Sequence, residues 1–288
     1  MRYYLLLLAL LTTVQVSAQL TIGNEGITIL AGNSLTVDGL TLTPSANLVL
    51  SNNSIQVSNT PLAGSPNGSI NRAYQFGAPI TFTGTASIGY LTTELNGHDE
   101  TSLQLAYSPA ANAPYVVTSG NTVNTTNDIV SNTFANKNLF AITAVGLPDL
   151  IPLLSTLPST QYGTTNFTVV VDVFELNATA TSELPTVYIT KDPLVTLSFN
   201  PSLTFVGGKV VQNGGWTFDG TSNDSFYLLR TIQVLGPKAK RSFGLTGVLK
   251  PGNTKGALTI TTTIAGLSGG EFRLTNNSDS DKIDYFNK

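Results

Sequence analysis

The sequence predicts an all-β protein built from two β-sandwich-like domains, the second of them immunoglobulin-like. Short apolar runs alternate with turn-forming residues along most of the chain, which is the pattern of strands that bury one face. Charged residues make up only 11% of the sequence, against about 25% in typical domains; Thr, Ser, Asn and Gly take their place. No stretch shows the apolar period of an amphipathic helix.

Residues 1–18 predict an export signal. The single charge of Arg2 is followed by a short apolar run from Tyr3 to Leu11, and Val16-Ser17-Ala18 supplies the small residues that precede signal-peptidase cleavage. The alternative is a membrane-spanning helix, which needs about 20 apolar residues; polar residues such as Thr12 interrupt this run. We therefore expect a mature chain from Gln19 that is secreted, at the cell surface or in the periplasm, with no further transmembrane segment.

Residues 19–145 predict an N-terminal domain of short strands. Five apolar runs separated by turn signals lie between Leu20 and Val57, and Asp38-Gly39 has the composition of a two-residue type I′ hairpin. A short β-solenoid is the alternative arrangement of these runs, although no fixed period supports it. Longer alternating runs between Ala73 and Thr143 continue the pattern of strands.

Residues 146–288 predict an immunoglobulin-like β-sandwich. Gly146 begins a segment in which Pro148, Pro152 and Pro158 restrict the chain to edge or irregular β structure. About eight runs of strong β propensity follow between residues 167 and 275, separated by turn signals, as in a sandwich of this class. The change in sequence character near Gly146 is therefore the predicted domain boundary.

A family resemblance supports this interpretation. The residues that carry it are Leu147-Pro148-Asp149-Leu150, Trp216-Thr217-Phe218, Gly269-Gly270-Glu271 and Thr275-Asn276-Asn277. On these motifs the second half of the chain resembles the immunoglobulin-like modules of secreted surface proteins of Bacteroidota, which are akin to adhesion domains. Residues 40–44 and 94–97 are similar to pieces of N-terminal modules from such proteins. The resemblance implies a sandwich fold and a surface location, and it implies no catalytic residue.

The residue inventory excludes several kinds of chemistry. The chain has no Cys, and His98 is its only His, so disulfides, thiolate nucleophiles and the usual zinc sites are excluded. The net charge of −3 provides no basic field for nucleic acid. The string from Gly266 to Gly270 matches Gly-x-Ser-x-Gly, but it lies between two apparent strands and not at the strand–turn–helix that a nucleophile elbow requires. We predict a non-enzymatic protein without an organic cofactor.

Two groups of acidic residues are candidate calcium ligands. They are Glu94, Asp99 and Glu100 around Asn96-Gly97, and Asp279, Asp281 and Asp284 near the end of the chain. Calcium prefers oxygen ligands on flexible loops, and paired carboxylates can also act as acid and base on a glycoside. For each group the alternative is an ordinary polar turn, with Asn96-Gly97 as a type I′ hairpin tip.

Aromatic side chains are the candidate ligand-binding residues. Tyr74, Tyr90, Tyr107 and Trp216 offer ring faces that stack on sugars, and the alternative for each is core packing. The basic run Lys238–Arg241 could contact acidic polysaccharide, or lie in a solvated loop. The sequence therefore predicts a secreted, non-enzymatic surface or adhesion-type module, with extracellular polysaccharide or other surface proteins as partners. The alternatives are a carbohydrate-binding module and an extracellular hydrolase that uses carboxylates.

Overall fold

The computed structural model describes residues 19–64, 67–271 and 273–287. Within these ranges the chain forms 23 strands and four single-turn 3-10 helices, so the all-β prediction is confirmed. The 3-10 turns are Thr92–Glu94, Glu100–Ser102, Asn213–Gly215 and Ser268–Gly270. The predicted export signal lies outside the described residues.

Each half of the chain contributes its own strands. The N-terminal unit contains β1 (Gln19–Ile22), β2 (Ile27–Ile29), β3 (Leu35–Val37), β4 (Leu40–Pro44), β5 (Leu48–Leu50), β6 (Asn53–Ser58), β7 (Ala73–Gly89), β8 (Leu103–Ser108), β9 (Val116–Val117), β10 (Thr122–Asn124) and β11 (Ile129–Gly146). The C-terminal unit contains β12 (Leu150–Leu157), β13 (Thr160–Tyr162), β14 (Thr165–Glu175), β15 (Thr186–Thr190), β16 (Val195–Ser198), β17 (Phe205–Val206), β18 (Lys209–Val210), β19 (Trp216–Asp219), β20 (Phe226–Thr231), β21 (Lys240–Leu249), β22 (Gly256–Ile264) and β23 (Ser278–Phe286). Among the described residues, no helix is long and apolar enough to cross a membrane.

The first six strands form antiparallel pairs nested around one turn. β3 pairs with β4, β2 with β5, and β1 with β6. The turn is Asp38-Gly39, and its φ angles of 44° and 91° are positive at both central residues, as a type I′ hairpin requires. The predicted hairpin is confirmed. Because successive coils of a solenoid stack in parallel, this antiparallel nesting replaces the solenoid alternative.

Two long strands, β7 and β11, organise the N-terminal sandwich. They pair along most of their length, with register shifts after Phe134 and after Leu139. The first part of β7 also pairs with β6 and its last part with β4, so the sheet has two parts. One hydrophobic cluster contains residues from both: the rings of Tyr107 in β8 and Phe134 in β11 are 5.7 Å apart in edge-to-face contact. The N-terminal core therefore lies between the two parts of the sheet.

The C-terminal unit is an immunoglobulin-like sandwich of two sheets. A four-stranded sheet has the order β12-β14-β21-β16, and a six-stranded sheet has the order β13-β23-β22-β15-β20-β19. Inward residues of both sheets form a second hydrophobic cluster, in which the rings of Trp216 and Phe243 are 4.7 Å apart. Most of the other buried side chains in this cluster are Val, Leu and Ile.

The last strand differs from the prediction. The sequence predicts a strand at residues 271–275, but the strand β23 begins at Ser278 in the segment that the sequence assigns to a polar turn. The sequence prediction fails here because polar residues occupy both faces of the first part of β23. Ser278 and Ser280 face solvent, while Asp279 and Asp281 face β12 across the sandwich. Polar residues on both faces remove the apolar periodicity from which a strand is predicted.

Carboxylates from β23 and from the connection before it satisfy the free edge of β12. Backbone N–H groups of Leu150, Leu154 and Thr156 donate to Glu271 at 2.9 Å, to Asp279 at 2.7 Å and to Asp281 at 2.7 Å. At the remaining alternate position, Pro152 has no N–H to donate. We call Glu271, Asp279 and Asp281 the edge-capping carboxylates. They occupy the donors through which an edge strand recruits another strand.

The edge-capping carboxylates lead to a stability prediction. We expect Asp281→Ala to lower the free energy of unfolding by about 2 kcal/mol, because charged hydrogen bonds to a backbone N–H and to the hydroxyl group of Thr156 are lost. Burial opposes ionisation of Asp281, but the hydrogen bonds from Thr156 and Lys282 outweigh it and hold its pKa below the usual value. Urea unfolding measures the loss, and light scattering measures the aggregation that an open edge promotes.

The matched control is Asp284→Ala on the same strand. Asp284 pairs with Lys282 at 2.8 Å, and both side chains are exposed, so its removal changes stability by well under about 1 kcal/mol. Equal losses for the two variants would contradict a capping role for Asp281.

Candidate functional site

The acidic group at residues 94–100 has structural partners. Glu94 accepts two hydrogen bonds from the guanidinium group of Arg72, at 2.7 and 2.8 Å, and a third from the N–H of Leu91 at 2.8 Å. Asn96 and Gly97 have positive φ angles, as predicted. The hairpin that was predicted around them is wrong, because the adjoining strands β7 and β8 each pair with β11 and not with one another. The segment is therefore a loop fixed to the N-terminal unit.

The other two acids of this group also bond locally. Asp99 accepts from the N–H of Thr101 at 2.9 Å and begins a 3-10 turn. Glu100 accepts from the hydroxyl group of Tyr90 at 2.9 Å. Burial and this hydrogen bond raise the pKa of Tyr90 above its usual value. These two contacts position the loop side chains.

The second acidic group lies on β23. Asp279 and Asp281 are the edge-capping carboxylates, and Asp284 pairs with Lys282. No set of three or more His, Asp or Glu side chains in the described ranges is arranged to hold a metal ion. Calcium binding at either acidic group stays a prediction.

The four aromatic residues that the sequence singles out lie in the cores. Tyr74, Tyr90 and Tyr107 belong to the N-terminal cluster and Trp216 to the C-terminal one, and none is more than 8% exposed. Their ring faces contact other side chains and are closed to a ligand in solvent. The alternative interpretation, core packing, describes their environment.

The outer face of the six-stranded sheet carries a first pair of aromatic rings. Val187 and Ile189 of β15 point into the core, so Tyr188 between them points outward. Phe226 of β20 also points outward and is 37% exposed. The centroids of the two rings are 5.8 Å apart with tilted planes. We call this outer face the aromatic face.

A second aromatic pair lies on the same face. Tyr162 of β13 is opposite Phe286 of β23, and the two rings stack with their centroids 5.3 Å apart. They are 62% and 38% exposed. Sequence reasoning missed both pairs, although one signal was present: in β15 an aromatic residue alternates with β-branched residues, which places it on the opposite face of the sheet.

Hydroxyl groups separate the two aromatic pairs. On the outer side of β22 and β23, Thr261 hydrogen-bonds to Ser280 and Thr263 to Ser278, each at 2.9 Å. Thr190 of β15 accepts from the N–H of Thr261 at 3.0 Å. The aromatic face therefore combines three exposed rings and the half-buried ring of Tyr188 with rows of hydroxyl groups that can donate and accept hydrogen bonds.

The outer face of the four-stranded sheet is covered instead. The β17–β18 hairpin places Val206 against Val170 and Val211. Lys209 on the same hairpin hydrogen-bonds to Ser155 at 2.9 Å. Of the two outer faces of the sandwich, the six-stranded one is open to a partner.

The basic run Lys238–Arg241 lies where β21 begins. The ammonium group of Lys240 is 3.3 Å from the buried carboxylate of Asp172, and Arg241 donates to Gln233 at 3.1 Å. The ammonium group of Lys238 donates to the carbonyl oxygen of Leu176, so all three cations of the run have partners within the C-terminal unit.

Ser268 and His98 do not form a catalytic pair. The hydroxyl oxygen of Ser268 accepts the N–H of Thr186. The Nε2 atom of His98 lies 2.9 Å from the carbonyl oxygen of Gly68, and its Nδ1 atom lies 3.4 Å from the hydroxyl of Thr179. A catalytic triad needs the base within hydrogen-bond reach of the nucleophile, and these two side chains have separate partners.

The two units meet at a cleft of about 350 Å³, which we call the junction cleft. The amide group of Asn67 donates to the carbonyl of Ala180 at 2.9 Å and accepts its N–H at 3.0 Å. Tyr115, Val117, Leu267 and Glu271 are among the lining residues. This contact joins the loop before β7 to the segment between β14 and β15.

Glu271 is a buried acid at this cleft. It is 1% exposed, and burial raises its pKa to about 7; hydrogen bonds from Leu150 and Asn277 act against that shift, and the charge of Asp149 adds to it. The group therefore changes its protonation near neutral pH.

The fold and these surfaces define an all-β sandwich protein with one open aromatic face. No protein-family model matches the chain, and no curated protein matches it. Among solved structures, the CARDB domain of a Pyrococcus furiosus protein in complex with di-metal ions has 15% identity and a TM-score of 0.30, over 49% of this chain and 96% of that one.

Two further solved structures are similar over most of the chain. The N-terminal domain of a Streptococcus gordonii adhesin has 10% identity and a TM-score of 0.31, over 96% of this chain and 90% of that one. Salmonella alpha-2-macroglobulin reacted with methylamine has 10% identity and a TM-score of 0.28, over 94% of this chain and 23% of that one. These scores indicate distant similarity, so the function is argued from the chain's own surfaces.

Proposed function

We propose that this protein is a non-enzymatic extracellular binding module of the surface-adhesion type, and that the aromatic face binds carbohydrate. The observation that carries the proposal is the combination on one outer face of two aromatic pairs, in which Phe226, Tyr162 and Phe286 are exposed and Tyr188 is half-buried, with rows of hydroxyl groups. Aromatic rings stack on the C–H faces of sugars while Thr and Ser hydrogen-bond to sugar hydroxyl groups. A carbohydrate has both C–H faces and hydroxyl groups, so it can make both kinds of contact with the aromatic face.

The environment of the acids supports a non-enzymatic role. Glu94 is tied to Arg72 by two hydrogen bonds and Glu100 to Tyr90 by one. A glycoside hydrolase needs two carboxyl groups that face a sugar from opposite sides of the scissile bond. Carboxylates held by a guanidinium group or a phenol are instead typical of structural positions.

The proposal places the protein outside the cytoplasm and divides it into two domains, 19–145 and 146–288. The apolar run and small residues before Gln19 support export. Two separate hydrophobic clusters, one between Ile22 and Ala144 and the other between Leu150 and Ile283, support the division. A surface module of Bacteroidota type is consistent with both.

Affinity electrophoresis in gels that contain xylan, laminarin, mannan or amylose tests the proposal. We expect the protein to be retarded by at least one polysaccharide, and the double variant Tyr188→Ala, Phe226→Ala to bind roughly tenfold more weakly, which corresponds to two ring contacts each at the lower end of the about 0.5–1.5 kcal/mol of an aromatic pair. The matched control is Phe205→Ala, which removes an exposed ring from the hairpin over the other sheet. The proposal would be contradicted if none of the four polysaccharides retarded the protein, or if the double variant bound as tightly as the wild type.

A further inference from the structure

The two aromatic pairs lie far apart on the aromatic face. Tyr188 is opposite Thr263 of β22, whereas Gly256 of β22 is opposite Tyr285, next to Phe286. Seven positions along β22, the difference between these two register partners, correspond to roughly 23 Å at ~3.3 Å per residue. Since β15 lies two strands from β23, roughly 10 Å is added sideways. The pairs are therefore roughly 25 Å apart.

The surface between the pairs is polar and has no net charge. Thr259 and Thr261 point outward from β22, and Ser280 points outward from β23. Lys282 and Asp284 form an ion pair at 2.8 Å, so their opposite charges cancel. A path of hydroxyl groups therefore joins two apolar ring pairs.

The edge beyond the first pair is also balanced. Arg230 of β20 and Asp219 of β19 lie on neighbouring strands of the same face, so one cation matches one anion. Neither a polyanion nor a polycation finds an excess of opposite charge there. A neutral ligand suits this surface better than a charged polymer does.

We propose that the aromatic face binds a single extended, neutral polysaccharide chain that spans both aromatic pairs. This inference rests on the proposed function and adds the form of the ligand. A small sugar covers one pair only. A chain of several rings stacks on one pair, hydrogen-bonds to the hydroxyl rows and stacks on the other pair. The second contact is then made at high effective concentration, which strengthens binding without a new site.

The dependence of affinity on chain length tests the inference. Isothermal titration calorimetry with oligosaccharides of xylan, laminarin, mannan and amylose, from the disaccharide upward, is expected to show affinity that rises until the chain covers roughly 25 Å and then levels off. The total gain is expected to be roughly tenfold or more, the contribution of one stacked pair.

Variants at the second pair separate the two contacts. We expect Tyr162→Ala, Phe286→Ala to remove the gain for long chains while short oligosaccharides still bind at the first pair. The single variant Tyr162→Ala serves as a milder version if the double variant unfolds, because Tyr162 is the more exposed ring. Phe205→Ala is the control and is expected to keep the full length dependence.

The outcomes distinguish the inference from the proposed function. If short and long oligosaccharides bind equally, or if the second pair has no effect on long chains, the inference fails and the carbohydrate site at Tyr188 and Phe226 survives. If no oligosaccharide or polysaccharide binds, the proposed function fails as well. A dimer in size-exclusion chromatography that Tyr162→Ala dissociates would assign the face to a second copy of the chain and overturn the inference.

Discussion

Glu271→Gln is expected to stabilise the protein above neutral pH and to remove most of the loss of stability between about pH 4.5 and about pH 7. The wild-type carboxyl group is buried, and its pKa is raised from 4.5 to about 7. Between these values the unfolded chain has lost the proton while the folded chain still holds it. The contribution of Glu271 to the free energy of unfolding is therefore largest below about pH 4.5 and decreases by ~3 kcal/mol in total as pH rises through about 7.

The local hydrogen bonds explain why glutamine suits the site. A neutral amide keeps one oxygen to accept the N–H of Leu150. Its NH₂ group can donate to the side-chain oxygen of Asn277, a buried atom that has no partner among the described residues, once the Asn277 amide rotates. The variant therefore removes the buried charge and leaves the backbone cap in place.

Urea unfolding across the range from about pH 5 to about pH 8 measures this effect. The control is Glu183→Gln, an exposed acid that lines the same junction cleft, and its stability profile should follow that of the wild type. Parallel profiles for wild type and Glu271→Gln would show that Glu271 does not titrate in this range.

Arg72→Met is expected to lower the free energy of unfolding by about 3 kcal/mol, because it leaves the mostly buried carboxylate of Glu94 without its cation. The guanidinium group also donates to the carbonyl of Asp38 at 2.8 Å and to the hydroxyl of Tyr74 at 3.2 Å. It thus joins the type I′ turn, the start of β7 and the loop after β7. The hydrogen bond to Glu94 contributes most to the raised pKa of Arg72.

A double-mutant cycle separates the ion pair from the other contacts of Arg72. Thermal and urea unfolding of Arg72→Met, Glu94→Gln and the double variant give the coupling energy. We expect the double variant to be more stable than the sum of the two losses predicts, since no unpaired charge remains. Strictly additive losses would mean that Arg72 stabilises the protein through Asp38 and Tyr74 alone.

Local chemistry made much of the fold predictable. Asp38-Gly39 forms the predicted hairpin because only certain residues adopt positive φ at both central positions. Pro152 lies in the edge strand β12, where a missing N–H leaves no donor of the ladder unpaired. These features depend on neighbouring residues, and the sequence shows neighbouring residues directly.

The binding surface was harder to predict because it depends on which face of each strand is buried. Alternation shows that Tyr74 and Tyr188 each lie on one side of a strand, but only the packing of the sheets decides that Tyr74 is inside and Tyr188 outside. The roles of Asp279 and Asp281 depend on β12, which lies 125 residues earlier in the chain. No local pattern contains that partnership.

During biosynthesis, the edge strand β12 is made well before the aspartates that cap it. The strand is made 125 residues before the aspartates that cover its edge. At roughly 5–20 residues per second, the backbone N–H donors of β12 are synthesised on the order of 10 s before the carboxylates that accept from them. During translation the nascent C-terminal sandwich is therefore incomplete at this edge, and its protection comes only with the last strand. A ribosome-bound chain that stops before Asp279 should accordingly be sensitive to protease and to strand exchange, and a released chain that includes all of β23 should resist both.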